Sequence, residues 1–261
     1  MSRSILALLT LFSIGVPAVP QTSESNDALM LKARSLYDAP FTRNLAAFDC
    51  EVQFDWKAHL MQMLGSMPQP AVATAERLQT IHHRISLDGH NATISSQPET
   101  PDFNGSPQAA KLEEVLIAMV TSGLNAWLPS STNVVLPVGS TKYQFEKLAS
   151  GFKLSMRGDN VEGILLLDSD LRVTSGEMKA PQPMSFTTEF ESGPQGYLLS
   201  SIKTEPPPND AAFVYTYQSV DGFQLPSEIT VTPATTGKWQ YRLTDCKVVK
   251  FIKLQVGPSK Q

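Results

Sequence analysis

Several chemistries are excluded by what this chain does not contain. Only two of its 261 residues are cysteine and four are histidine, and neither cysteine has a Cys or His neighbour at ligand spacing, which disfavours a zinc site. Lysines and arginines number 21 against 25 acids, for a net charge of −4, and they are scattered rather than clustered. A mildly acidic chain with no basic stripe has no general attraction for nucleic acid. Gly-x-Ser-x-Gly, His-Glu-x-x-His, a phosphate-binding glycine loop and a dinucleotide fingerprint are all missing, so nothing argues for an enzyme or for a cofactor. No apolar run after the first is long enough to cross a bilayer.

That first run is itself informative. Arg3 is followed by an apolar stretch from Ile5 to Val16, then by the small residues of Val16-Pro17-Ala18. A charged start, an apolar core of about a dozen residues and a small-residue exit are the parts of a secretory signal peptide. The reading is a signal peptide over 1–18 and a single β-rich domain over 19–261, periplasmic or secreted. In an exported protein an even, small cysteine count favours one disulfide, here Cys50 with Cys246. Two separate buried thiols are the alternative.

Hydrophobic periodicity supplies the fold class. Asn26 or Asp27 can cap a helix through about Tyr37, and Pro40 ends it. Phe48, Cys50, Val52, Phe54 and Trp56 alternate with polar residues, the pattern of a half-buried strand. Lys57 to Met67 reads as a short helix or lid, and the proline- and alanine-rich stretch to Ala75 as a loose connection. Leu78–Leu87 and Asn91–Ser95 flank Asp88-Gly89, a hairpin turn. Ser106 and Pro107 open a strongly amphipathic helix carrying Leu112, Leu116, Val120, Leu124 and Trp127, with Pro129 as its stop. From Lys142 onward the pattern is nine strands, 142–148, 151–157, 161–168, 171–179, 184–190, 196–204, 211–219, 223–232 and 238–250. Their connections are too short for parallel crossovers, so neighbours must be antiparallel. A meander this long curls. The expected class is α+β: a curved, mostly antiparallel sheet, an unclosed half-barrel, with two or three helices covering its concave face.

Tyr217-Gln-Ser-Val-Asp-Gly-Phe-Gln-Leu-Pro-Ser-Glu-Ile229, the last strand Tyr241-Arg-Leu-Thr-Asp-Cys-Lys-Val248, and the meander of Gly151-Phe-Lys-Leu and Gly163-Ile-Leu-Leu-Leu-Asp-Ser-Asp-Leu171 together resemble the periplasmic lipoprotein-carrier fold of LolA and LolB, shared by the sensor RseB. The likeness is best over residues 150–250. It implies a half-barrel whose apolar face binds acyl chains. The chain departs from the family in a large insert from Lys57 to Trp127, and no residue matches a carrier's release arginine.

The function expected from these features is a non-enzymatic exported carrier or sensor of an acyl chain or lipidated protein, with a possible membrane or envelope-protein partner. Candidate ligand contacts are the adaptable Met61, Met63, Leu64 and Met67, and the sheet aromatics Phe186, Phe190, Phe213, Tyr215, Tyr217, Trp239 and Tyr241. Two other readings stand beside it. The same aromatics filling a core would make the protein a partner-binding module. A cleft placing His82 or His83 beside an acid and a nucleophile would make it a hydrolase.

Overall fold

A computed structural model of the chain describes residues 25–98, 106–132, 136, 141–158, 162–179, 183–206, 210–234 and 237–251. The proposed signal peptide lies outside them. Twelve strands form one antiparallel, unclosed sheet in the order β3-β2-β1-β12-β11-β10-β9-β8-β7-β6-β5-β4. These are β1 (Leu45–Phe54), β2 (His82–Leu87), β3 (Ala92–Gln97), β4 (Lys142–Leu148), β5 (Gly151–Arg157), β6 (Glu162–Asp168), β7 (Val173–Met178), β8 (Met184–Gly193), β9 (Gly196–Glu205), β10 (Ala211–Val220), β11 (Phe223–Pro233) and β12 (Trp239–Lys250). Every neighbour but one pair is adjacent in sequence among the strands. The exception, β1 with β12, ties the first strand to the last.

Local chemistry sets the corners. Asp88 Oδ1 accepts from the backbone N–H groups of His90 and Asn91, both at 2.9 Å, and Gly89 takes φ 84°. Asp221 and Gly222 both have positive φ, the geometry of a two-residue hairpin whose twist matches its strands. Asp168 Oδ1 accepts from the N–H groups of Asp170 and Arg172. These side chains satisfy turn donors that the sheet ladder cannot reach.

Four helices accompany the sheet: α1 (Asn26–Ser35), α2 (Trp56–Leu64), α3 (Gln69–Leu78) and α4 (Pro107–Ser131), with a 3-10 turn at Pro40–Arg43. Three of them correct the sequence expectation. Ser25, not Asn26 or Asp27, caps α1 through a bond from the Ala28 N–H. The stretch expected to be a loose connection is α3, because Pro68 and Pro70 fall at its cap and first turn, where a missing N–H costs nothing. Pro129 does not stop α4. The helix runs to Ser131, and hydroxyls of Ser130, Ser131 and Thr132 bond back to the carbonyls of Trp127 and Leu128 at 2.7–2.9 Å, holding the last turn.

One sheet carries two cores. The larger gathers β1, β2 and β9–β12 under α2, α3 and α4; the smaller gathers β5–β7 under α1, with the buried Leu136. Phe190 on β8 packs against both. Cys50 and Cys246 are disulfide-bonded across the β1–β12 joint, closing 196 residues of sequence separation. Among the described residues no helix is long and apolar enough to cross a membrane.

Candidate functional site

The candidate ligand residues divide into three groups. Phe213, Tyr215, Trp239 and Tyr241 are buried, and Tyr217 is nearly so. Helix α4 lies on them. The Tyr215 hydroxyl donates to the Gly123 carbonyl at 2.9 Å and the Tyr241 hydroxyl to the Val120 carbonyl at 3.2 Å. Tyr217 accepts from Trp127 Nε1 at 3.1 Å and donates to the Leu199 carbonyl at 2.7 Å. Burial pushes all three phenols above their ordinary pKa. Gly123 permits the close approach: a Cβ there would stand 2.3 Å from the Tyr241 hydroxyl.

The second group is Phe186 and Phe190, half-buried on β8. With Met178, Met184 and Ile202 they make an apolar strip across β7, β8 and β9, all partly exposed. Phe186 and Met178 pack against the smaller core, Ile202 against the larger. Gly176 opens room for the Phe186 ring, since a Cβ at that position would lie 2.5 Å from it. At one end of the strip Phe190 meets Tyr37 edge-on, with ring centroids 5.0 Å apart. Tyr37 donates to the Leu171 carbonyl and accepts from the Val173 N–H, and burial raises its pKa to about 12.

The third group lies on α2. Met61, Met63 and Leu64 are 50%, 51% and 52% exposed, whereas Met67 tucks against the larger core.

Three clusters form around buried polar side chains, and the sequence pointed to only one of them. Of the His82-His83 pair, strand alternation turns His82 outward to within 3.7 Å of Glu51 and His83 inward. His83 Nδ1 lies 3.0 Å from the Ser96 hydroxyl, which bonds the buried Glu113 of α4. An acid, a serine and an imidazole do therefore converge. Their order is the reverse of nucleophile activation: with Ser96 donating to the carboxylate, the imidazole N–H donates to Ser96 and cannot take its proton. Burial holds His83 down to about 4, and its Nε2 has no partner. A second cluster packs His59 against Trp239, ring centroids 3.9 Å apart and tilted by 40°, with Phe54 and Trp56 around them. A third pairs the fully buried Asp38 carboxylate with Arg43 at 2.5 Å, and burial raises the Asp38 pKa despite that pairing. Isolated polar residues inside apolar surroundings leave no periodic signal, so neither of the last two was legible.

Two of the surface grooves touch the candidate ligand groups, at Tyr241 and at Phe186. One of about 830 Å³ lies by α2 and the β1–β12 joint and is lined by Glu51, Asp55 and Glu228 together with Lys57, Lys238 and Arg242, so its charge is balanced. The other, about 350 Å³, crosses Ile164 and Leu166. Among the described residues no group of three or more His, Cys, Asp or Glu side chains is placed to hold a metal ion. Comparison of the chain with protein-family models, with curated proteins and with solved structures finds no match.

Proposed function

We propose that this is a non-enzymatic, extracytoplasmic carrier or sensor that binds an acyl chain or a lipidated protein along the strip of Met178, Met184, Phe186, Phe190 and Ile202. The observation that carries the reading is this strip itself, which stays partly exposed on the helix side of the sheet while the aromatics beside it are sealed. A core built only for stability buries such side chains; a row of two phenylalanines and two methionines left half open fits a chain-like apolar ligand. Each methylene buried there would contribute about 0.8 kcal/mol of gross driving force, offset by association and ordering costs. The resemblance to LolA, LolB and RseB supports the same cargo class. The Cys50–Cys246 bridge fits an oxidising compartment, the periplasm or the exterior.

Palmitate binding to the purified protein tests the reading. Wild type should take up the fatty acid, Phe186→Glu and Phe190→Glu should lose it while keeping their circular dichroism, and Tyr241→Phe should retain it. Failure of the wild type to bind sinks the proposal. One observation favours a second reading, a partner-binding module with a filled core: α4 occupies the face that carries Phe213, Tyr215, Trp239 and Tyr241. An empty protein that refuses palmitate would put that reading first.

A further inference from the structure

The hairpin of α2 and α3 carries a long uncharged stretch whose apolar side chains reach solvent. From Ala58 through Ala75 there is no Asp, Glu, Lys or Arg, in a chain that is 18% charged. A water-facing stretch of that length ordinarily carries about three such residues. The one titratable group inside it, His59, is buried and its pKa lowered by that burial, so it adds no charge at neutral pH. The apolar side chains are not hidden to compensate. Met61, Met63 and Leu64 stand about half exposed around the end of α2, and the turn that follows, Gly65 to Pro68, is exposed apart from Met67. Gly65 has open space where a side chain would be. Charge returns at the base of the hairpin, where Lys57 of α2 pairs with Glu76 of α3 at 3.3 Å, both well exposed. The hairpin is thus an apolar, uncharged tip on a charged, cross-linked base.

We infer that this tip docks on the surface of a lipid bilayer, with Met61, Met63 and Leu64 entering the acyl boundary and the Lys57–Glu76 pair remaining among the headgroups. Two features select this occupant. Three half-exposed side chains fall well short of the roughly 800 Å² per partner that a stable protein interface buries, so a second copy is not held by this tip alone. A bilayer needs only the tip, since shallow burial of a few apolar side chains suffices for reversible interfacial binding. The absence of basic residues in the tip dictates the lipid preference: binding is not driven by anionic headgroups and does not weaken with salt. This inference stands on the hairpin and not on the acyl-binding strip, which lies on β7 to β9.

Co-flotation with phosphatidylcholine vesicles tests it. The wild-type protein should float with the vesicles equally at low and high salt, and addition of phosphatidylserine should change binding less than twofold. The triple variant Met61→Glu, Met63→Glu, Leu64→Glu alters only exposed side chains, so it should fold and still bind palmitate if the strip is the acyl site; its vesicle binding should fall at least tenfold. Three results overturn the inference: no flotation of the wild type, flotation unchanged in the triple variant, or a dimer in solution that the triple variant dissolves. A variant with both leucine and methionines changed to alanine should sit between the two and guards against an effect of the added charge alone.

Discussion

The two halves of the sheet solve the same problem differently. Under α4 the strands present a row of tyrosines whose hydroxyls bond the helix backbone or its tryptophan, a glycine that lets the helix come down close, and a disulfide that ties the first strand to the last. Under α1 the strands bury mainly leucine, methionine and valine, and the phenylalanines and methionines of β7 and β8 remain half open. The polar pins matter because apolar contact alone is non-directional. A hydroxyl bonded to a helix carbonyl fixes where the helix lies, so the α4 half has one arrangement. The α1 half is anchored by Tyr37, which holds the β7 backbone, by the Tyr143 hydroxyl donating to Asp27 at 2.6 Å, and by Asn26 accepting from the Phe145 N–H of the edge strand. Between those anchors Leu154, Leu165, Leu167 and Val173 are buried, and the half-open strip lies on β7 to β9, toward the other half.

The largest effect expected from breaking this contrast is on the disulfide. Replacing Cys50 and Cys246 together by alanine removes a cross-link over 196 residues, which the chain-entropy model values at about 5 kcal/mol. Urea unfolding of the oxidised protein against the double variant measures it. Hydrogen exchange should show the gain in opening concentrated at β1, β2 and β12, with β5–β7 little changed. An equal loss of protection in both halves would mean that the sheet unfolds as one unit and that the two cores are a geometric division only.

Gly123→Val comes next. Its side chain would start 2.3 Å from the Tyr241 hydroxyl and 3.1 Å from Ile229, so the helix must lift or the tyrosine must leave. Overpacking of this kind costs about 1–3 kcal/mol. The sharper readout is binding. If α4 is what seals the larger half, the variant should expose Phe213, Tyr215 and Tyr241 and bind more of a fluorescent apolar dye than wild type at equal fraction folded. No increase would show that the aromatics are sealed by one another rather than by the helix.

Acid should act on the same half. His83 titrates near 4 in the fold against an ordinary value of 6.5, because burial disfavours its cation, and His59 is lowered for the same reason. Between those values the unfolded chain binds the proton and the folded chain does not. The stabilisation from His83 is therefore complete above about pH 6.5 and is lost as pH falls toward 4, by about 3 kcal/mol. Glu113 works the other way: burial raises its pKa, so the fold gains stability as the pH falls through that raised value. His83→Leu should be less stable than wild type at neutral pH, since Ser96 loses a partner, yet show a shallower decline between pH 6.5 and 4. Urea midpoints across that range decide it, and an unchanged slope would place the acid sensitivity elsewhere.

These effects also show how far the sequence could be read. Strands from Lys142 onward were legible because apolar and polar residues alternate along several of them, as at Met184–Phe190, between turn-forming residues, and the disulfide because an exported chain with two cysteines favours one bridge. Helix α3 was not legible, since its two prolines read as breakers until their place in the first turn is known. The site was partly legible. Periodicity marks which aromatics face inward but carries no record of what lies over them, so Phe186 and Tyr241 look alike in sequence although one is half open and the other is sealed by α4. The Glu113–Ser96–His83 contact joins a helix to two strands and depends on tertiary placement alone.

The smallest effect expected is at the start of α1. Ser25 accepts from the Ala28 N–H at 3.2 Å, and removing such a cap costs about 1 kcal/mol. In the α4 half the equivalent residue is Ser106, accepting from Ala109 at 3.4 Å. The two caps are chemically alike, so the difference between Ser25→Ala and Ser106→Ala reports on the rest of the structure that each helix belongs to. Helix α4 is held along its length by Tyr215, Tyr217 and Tyr241, and a frayed first turn should leave its later turns in place. Helix α1 spans Asn26–Ser35 and holds the edge strand through Asn26 and Asp27, in the same turn that the cap stabilises. Ser25→Ala should therefore raise amide exchange in β4 as well as in α1 and increase access to the strip, seen as faster palmitate uptake. Ser106→Ala should raise exchange in the first turn of α4 and leave uptake unchanged. Equal responses to the two substitutions would mean that α1 is as firmly seated as α4, and the half-open strip would then be a fixed groove whose access does not depend on the movement of α1.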